Sequence, residues 1–294
     1  MTAFPATEST APDLSAPILS VRELTTTIHT RGDARAVVEN VSFDLVRGRS
    51  LAVVGESGAG KSMLIRSLLG VHAPGVDARV RGSARVMGVD MATADAFERR
   101  RVLRESIGMI HQDPLRSLNP TYRVGTQLTE SRAFGNQRPS RRSLHRRAIE
   151  AMAAVGFRDP VREARLLPHE LSGGQRQRIG IAAATLNEPA LLIGDEPTTA
   201  LDVTVQKRVL DLIDEMRERT GAALLLVTHD LAVAAERCDD LIVMRAGSVV
   251  EAGPTLQLLT APEHPYTRAL IDAIPRLDGP RTRRLCTPTE GNLS

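Results

Sequence analysis

The chain has 294 residues, 42% of them hydrophobic and 25% charged, a balance that allows a sizeable aliphatic core and excludes a disordered or fibrous chain. Its formal net charge is only +3, and all but two of its 38 basic residues (Lys61 and Lys207) are arginines, so no charge excess points to a nucleic-acid partner. Two cysteines, Cys238 and Cys286, fit neither a metal cage nor a disulfide framework, and no apolar run approaches the ~18 residues of a membrane span.

Residues 1–17 are rich in Thr, Ala, Ser and Pro without the basic and apolar regions of a signal peptide, and are expected to form a disordered tail. From 18 to 54 the pattern is β-like, with a turn at Arg47 and Gly48 and a short apolar strand at 51–54. A glycine-rich loop follows, then a helix over 61–69. Residues 80–89 read as β structure with turns at Gly82 and Gly88, 97–104 as a helix, and 107–110 as a strand ending at Gln112. Between 115 and 172 the chain becomes helical, arginine-rich and broken by prolines, as an inserted helical subdomain would be; the basic run at 138–147 has no aromatic residues between its charges to stack bases. Alternation then returns, with helices over 175–186, 204–220 and 232–237 and strands over 190–193, 223–227 and 241–244. Pro254 opens a last helix. Such alternation implies a mostly parallel sheet covered by helices.

The loop Gly55-Glu56-Ser57-Gly58-Ala59-Gly60-Lys61-Ser62 has the spacing of a phosphate-binding loop between a strand and a helix. Its glycines let backbone N–H groups wrap a phosphate chain, Lys61 adds a positive charge, Ser62 offers a hydroxyl to Mg²⁺, and the helix directs its positive end at the anion. The apolar run 191–194 ends in Asp195 and Glu196. In a protein with such a loop, the first carboxylate is placed to hold Mg²⁺ and the second to act as general base on the attacking water. His229 ends another strand and Gln112 a fourth, at the carboxyl edge where open α/β sheets bind ligands; His229 is a candidate contact to the γ-phosphate and Gln112 to Mg²⁺ or the water. Leu171-Ser172-Gly173-Gly174-Gln175 precedes a helix. Ser172 suits a cap or an anion nest equally, but two successive glycines cost helix stability that a cap alone does not explain.

Taken together these residues resemble the ABC ATPases over about 18–260. The order of phosphate loop, Gln112, the signature at 171–175, Asp195 and Glu196, the stretch Ala200-Leu201-Asp202 and His229 is the family's order. The resemblance implies a P-loop NTPase of RecA-like core with an antiparallel β subdomain and an inserted helical signature subdomain. It also implies ATP and Mg²⁺ as cofactors and a second ATP-binding subunit, identical or a sister chain, whose signature completes the site. The segments at 112–120, 195–204 and 264–270 are similar to ATPase subunits of peptide and nickel importers. That likeness implies two membrane permeases, an extracytoplasmic solute-binding protein, a place at the cytoplasmic face of the inner membrane, and coupling to the permease near 112–121. A soluble ABC ATPase acting on nucleic acid is the alternative of another class, although the chain has neither a long coiled-coil insertion nor a second cassette. The sequence departs from the family in one place: the aromatic residue that stacks on adenine is missing, and Ile28 or His29 is left to pack the base, or the base is held weakly. The segment 264–274 is expected to be a packing helix, opening a C-terminal extension over 261–294.

Overall fold

The computed structural model describes residues 16–30, 33–112, 118–130, 140–199 and 202–273. Residues 1–15 of the expected tail, Ala200 and Leu201, residues 113–117 of the expected coupling stretch, and the end of the C-terminal extension with Cys286 lie outside the described residues; Pro17, expected in the tail, instead begins the first strand.

Ten strands form one continuous sheet: β1 (Pro17–Thr30), β2 (Asp33–Val46), β3 (Ser50–Val54), β4 (Asp77–Val86), β5 (Val89–Asp90), β6 (Ile107–Ile110), β7 (Leu191–Asp195), β8 (Ala223–Thr228), β9 (Asp240–Arg245) and β10 (Ser248–Pro254). Their order is β5-β4-β1-β2-β10-β9-β3-β8-β7-β6. One half is parallel, with β9, β3, β8, β7 and β6 running the same way. The other half is antiparallel, built on the long pairings of β1 with β2 and β4. The helices among the described residues are α1 (Lys61–Leu69), α2 (Ala96–Glu105), α3 (Val124–Glu130), α4 (Arg141–Ala154), α5 (Pro160–Glu163), α6 (Gly173–Thr185), α7 (Val203–Thr220), α8 (Leu231–Arg237), α9 (Thr255–Thr260) and α10 (Pro265–Asp272).

The parallel strands are apolar in their interiors because both of their faces are covered. Alternate residues divide between two cores: Ala52, Val54, Leu192, Leu224, Leu226, Leu241 and Val243 face one, while Leu51, Val53, Leu191, Ile193, Leu225, Val227, Ile242 and Met244 face the other. The first core continues into α3, α4 and α6, through Val124, Leu128, Met152 and Ile179. The second lies under α1 and the antiparallel strands, through Leu64, Leu68, Leu24 and Val41. Caps fix several helix starts: Asp95, Ser140, Asp159 and Asp202 each accept a hydrogen bond from an N–H of the first turn.

Among the differences from the sequence expectations, the signature helix opens at Gly173 rather than after the signature, and three others concern the sheet and the helix after it. Gly82 lies inside β4 and not in a turn; its positive φ, +80°, accommodates the bulge of β1 between Arg22 and Thr25, where a Cβ would come within 2.4 Å of the Arg22 carbonyl oxygen. Strand β10, with Glu251, Gly253 and Pro254, carried no strand pattern, yet it pairs with β9 along its length. The helix expected to open at Pro254 begins one residue later.

Leu225, fully buried in the middle strand of the parallel half, and Phe97, 72% exposed, stand in opposite packing environments. Leu225→Ala is expected to cost about 2–5 kcal/mol in urea unfolding and Phe97→Ala less than about 0.5 kcal/mol. Equal losses would place the core elsewhere.

Candidate functional site

Parallel register brings the C-terminal ends of β3, β6, β7 and β8 to one edge of the sheet, because Val54 pairs with Thr228, Asp195 with Val227 and Ile110 with Gly194. The phosphate loop follows β3, Gln112 follows β6, Asp195 and Glu196 end β7, and His229 follows β8. Chemistry scattered over 170 residues is therefore gathered at one place.

The loop itself is tight. Gly55 sits where a Cβ would lie 2.2 Å from the Met244 carbonyl oxygen, and Gly60, at φ +100°, where one would lie 2.6 Å from the Val37 carbonyl oxygen. Only glycine allows the loop to pass this close to β9 and β2. The Gly247 N–H donates to the Ala59 carbonyl at 2.9 Å, tying the loop to the turn between β9 and β10. Lys61 is 5% exposed, and its ammonium donates to the carbonyls of Gly55 (2.7 Å) and Glu56 (3.0 Å). Burial holds its pKa below that of an ordinary lysine, against the opposing pull of Glu196, Asp195 and Glu56. Glu56, Ser57 and Gly58 line the exposed rim, and α1 begins at Lys61 with Gly60 as its N-cap residue.

Beside the loop, the Ser62 hydroxyl donates to Asp195 Oδ1 at 3.3 Å. Burial raises the Asp195 pKa; the Ser62 hydrogen bond opposes it and the negative charge of Glu196 adds to it. A half-buried carboxylate and a hydroxyl facing one another are two hard oxygen donors for a small cation. Among the described residues no three acidic, His or Cys side chains form a metal cage. The donor set therefore suits Mg²⁺ completed by waters and phosphate oxygens rather than an all-protein site.

Glu196 is the focus of the second half. Its backbone adopts φ +48°, a left-handed conformation unfavourable for a side chain with a Cβ, and its N–H donates to the Val227 carbonyl at 2.9 Å. That turn aims the side chain so that Oε2 accepts from the Thr199 hydroxyl (2.9 Å) and Gln112 Nε2 (3.4 Å) and lies 3.2 Å from His229 Nδ1. A carboxylate only accepts, so Nδ1 carries the hydrogen in this contact and Nε2 faces away from Glu196. Thr199 was missed in the sequence; its signal is the run of hydroxyl residues three positions after Glu196. Gln177 was missed too. It is 2% exposed on α6, and its amide donates to the Pro197 carbonyl at 2.7 Å.

The signature residues form a capping box. Ser172 Oγ accepts from the Gln175 N–H at 3.2 Å, and Gln175 Oε1 accepts from the Ser172 N–H at 2.9 Å. Leu171 is buried beneath. A Cβ at Gly173 would meet nothing within 4 Å, and one at Gly174 only Val205 Cγ1 at 3.5 Å. The chain's own packing thus gives no reason for either glycine. Asp202 caps α7 by accepting from the Val205 N–H at 3.0 Å. Ile28 and His29 lie half-buried on β1, across from Arg35 and Ala34 of β2, two residues before the Val37 carbonyl that faces Gly60.

A family model of the ABC transporter matches residues 38–199, and one of the oligopeptide/dipeptide transporter C-terminal region matches residues 250–293. The oligopeptide transport ATP-binding protein OppD of Mycobacterium tuberculosis is 43% identical over 269 residues, which cover 92% of this chain and 44% of that protein. The dipeptide transport ATP-binding protein DppD of Bacillus subtilis is 40% identical over 261 residues, 89% of this chain and 78% of that one. The chain thus spans less than half the length of the mycobacterial relative. Among solved structures, the dimeric ATP-binding cassette MJ0796, in a post-hydrolysis state bound to ADP and Pi, matches with a TM-score of 0.70 at 25% identity, covering 81% of this chain and 98% of that one. A cbiO1 structure from Clostridium perfringens, part of the ABC transporter complex cbiONQ, also gives 0.70, at 26% identity and with 83% and 91% covered.

The raised pKa of Asp195 has a consequence for stability. A carboxyl that holds its proton more tightly when folded weakens the fold as pH climbs from the ordinary carboxylate range through the raised value, and the full cost is present above it. Asp195→Asn is therefore expected to raise the melting temperature of the ligand-free chain at pH 7–8, with the gain vanishing towards pH 3. A lower melting temperature at pH 7 would contradict this.

Proposed function

The chain belongs to the ABC transporter family of ATP-binding proteins, and we propose that it is the ATP-hydrolysing subunit of a membrane importer for peptides. The observation that carries the reading is Glu196 Oε2, held by Thr199, Gln112 and His229 at the strand edge that also presents the phosphate loop. The family match over 250–293 and the names of the oligopeptide and dipeptide relatives favour peptides over nickel as the cargo.

In this reading the amides of Gly58 to Ser62 and the Lys61 ammonium take the β and γ phosphates of ATP, and Lys61 exchanges its two carbonyl partners for phosphate oxygens. Ser62 and Asp195 would hold Mg²⁺, with Gln112 beside them, and the ion would neutralise charge that builds on the phosphates. Glu196 draws the proton from a water lying on the side of the γ-phosphate away from ADP. The water oxygen bonds to the γ-phosphorus, the bond to the bridging oxygen of ADP breaks, and the proton passes on to the released phosphate. Gln112 and His229 fix the Glu196 carboxylate, and the outward Nε2 of His229 is placed to meet the phosphate. Ile28 and His29 pack against the base without an aromatic stack.

Hydrolysis belongs to a dimer. Gly173 and Gly174 are not demanded by packing within this chain, and they form the exposed to half-buried start of α6. A nucleotide held by a second subunit, approached closely by this backbone, accounts for them. The dimeric state of the MJ0796 cassette supports this arrangement. Among the described residues no helix is long and apolar enough to cross a membrane. Two permease subunits and an extracytoplasmic solute-binding protein would therefore supply the path, with this chain peripheral at the cytoplasmic face and coupled through the region around 112–121.

Two substitutions test the reading. Glu196→Gln is expected to retain ATP binding and to lower turnover by about 10²- to 10⁴-fold, the scale of a lost general base; full hydrolysis would remove Glu196 from that role. Gly173→Ala should stabilise the isolated chain by about 0.5–1 kcal/mol through its better helix propensity. The same change should cut turnover on the order of a hundredfold, as losing a well-placed donor to the transferring phosphate does. An active, more stable Gly173→Ala protein would separate the signature from the chemistry.

A further inference from the structure

The helix α10, expected only to pack on the surface, touches the phosphate loop. Tyr266, 9% exposed, accepts the backbone N–H of Glu56 in its hydroxyl at 3.2 Å. Its ring lies under Arg245 at the end of β9, with the guanidinium carbon 5.1 Å from the ring centroid. The approach to the helix is anchored on β10. The Glu251 carboxylate accepts from the N–H groups of Glu263 (2.8 Å) and His264 (3.1 Å), and His264 Nδ1 accepts from the Tyr266 N–H at 3.1 Å. Burial pushes the Glu251 pKa up, but the Thr267 side chain and the N–H groups of Glu263 and His264 together hold it below the ordinary range.

The N–H of Glu56 and the carbonyl of Gly55 belong to one peptide plane and, in a trans peptide, point in opposite directions. Lys61 holds the carbonyl end at 2.7 Å and Tyr266 holds the N–H end. Gly55 has no Cβ to resist rotation of that plane. When Lys61 turns to a phosphate, the carbonyl end is released and the hydroxyl still grips the other end.

We infer that Tyr266 is a positioning residue for the phosphate loop, clamping the peptide plane between Gly55 and Glu56 so that the loop keeps its shape while Lys61 moves from backbone to nucleotide. The module of β9, β10 and α10 thereby grips the loop twice, through Gly247 at Ala59 and through Tyr266 at Glu56. The clamp is a property of the ligand-free loop; its effect on ATP rests on the function proposed above.

The test uses the full chain and Tyr266→Phe, which keeps the ring and its contact with Arg245 and removes only the hydroxyl. In the nucleotide-free protein the Glu56 amide should exchange with solvent at least about tenfold faster in the variant, since its acceptor is gone. ATP should bind about fivefold more weakly, the scale of one hydrogen bond, with kcat within about twofold. Glu56→Pro removes the donor, so adding Tyr266→Phe to it should weaken ATP binding no further. Unchanged exchange at Glu56, or a full additional loss on top of Glu56→Pro, would overturn the clamp. Faster exchange in the variant together with a wild-type chain that binds no ATP would leave the clamp standing and sink the nucleotide function instead.

Discussion

A buried ammonium organises this molecule. Lys61 sits 5% exposed at the start of a helix, and its largely desolvated charge is tolerated because two backbone carbonyls turn inward to meet it. Those carbonyls turn inward because the loop doubles back between β3 and α1. The loop doubles back in the space available because Gly55 and Gly60 let it run against the Met244 and Val37 carbonyls. The two flanking strands belong to different parts of the sheet, β9 to the parallel half and β2 to the antiparallel half. The loop is therefore the seam at which both halves meet.

The carboxylate side depends on a second constraint, the shared direction of β3, β6, β7 and β8. A strand buried on both faces offers polar groups chiefly at its ends, so the polar side chains of these strands gather at the sheet edge. At that edge Glu196 carries backbone strain, and the strain is useful: the left-handed turn takes the chain out of the alternating register, so that Glu196 joins Thr199, Gln112 and His229 while Asp195 faces Ser62. The two adjacent carboxylates end in different company, and their chemistry separates accordingly.

Much of the fold was legible because the parallel strands repeat one simple signal, an unbroken apolar run followed by a turn. The helix after the phosphate loop was read to the residue, 61–69, since the motif fixes its start and Gly70 its end. Strand β10 was not, because its pairing with β9 is an antiparallel contact set by the neighbouring strand rather than by its own composition. Gly82 misled because a glycine in a strand and a glycine in a turn look alike without the partner strand whose bulge explains it. In the site, residues tied to a motif spacing were visible. Tyr266 was not, since it meets Glu56 across 210 residues of sequence and no local pattern marks a hydroxyl aimed at a backbone N–H.

The helix α6 reaches the Glu196 turn by a route separate from its exposed tip. Gln177, one turn beyond the Ser172 cap, donates from a buried position to the carbonyl of Pro197, the residue directly after Glu196. A buried amide bound to a backbone carbonyl is costly to break, since the freed groups would have no water to turn to. Displacement of α6 therefore has to carry Pro197 with it or leave that carbonyl unpaired, and Pro197 moves the strained turn at Glu196. The helix whose N-terminus lacks a reason within this chain for its glycines is thus mechanically joined to the group that has the strongest reason to be held still. The helix tip and the Glu196 turn are joined through one buried hydrogen bond.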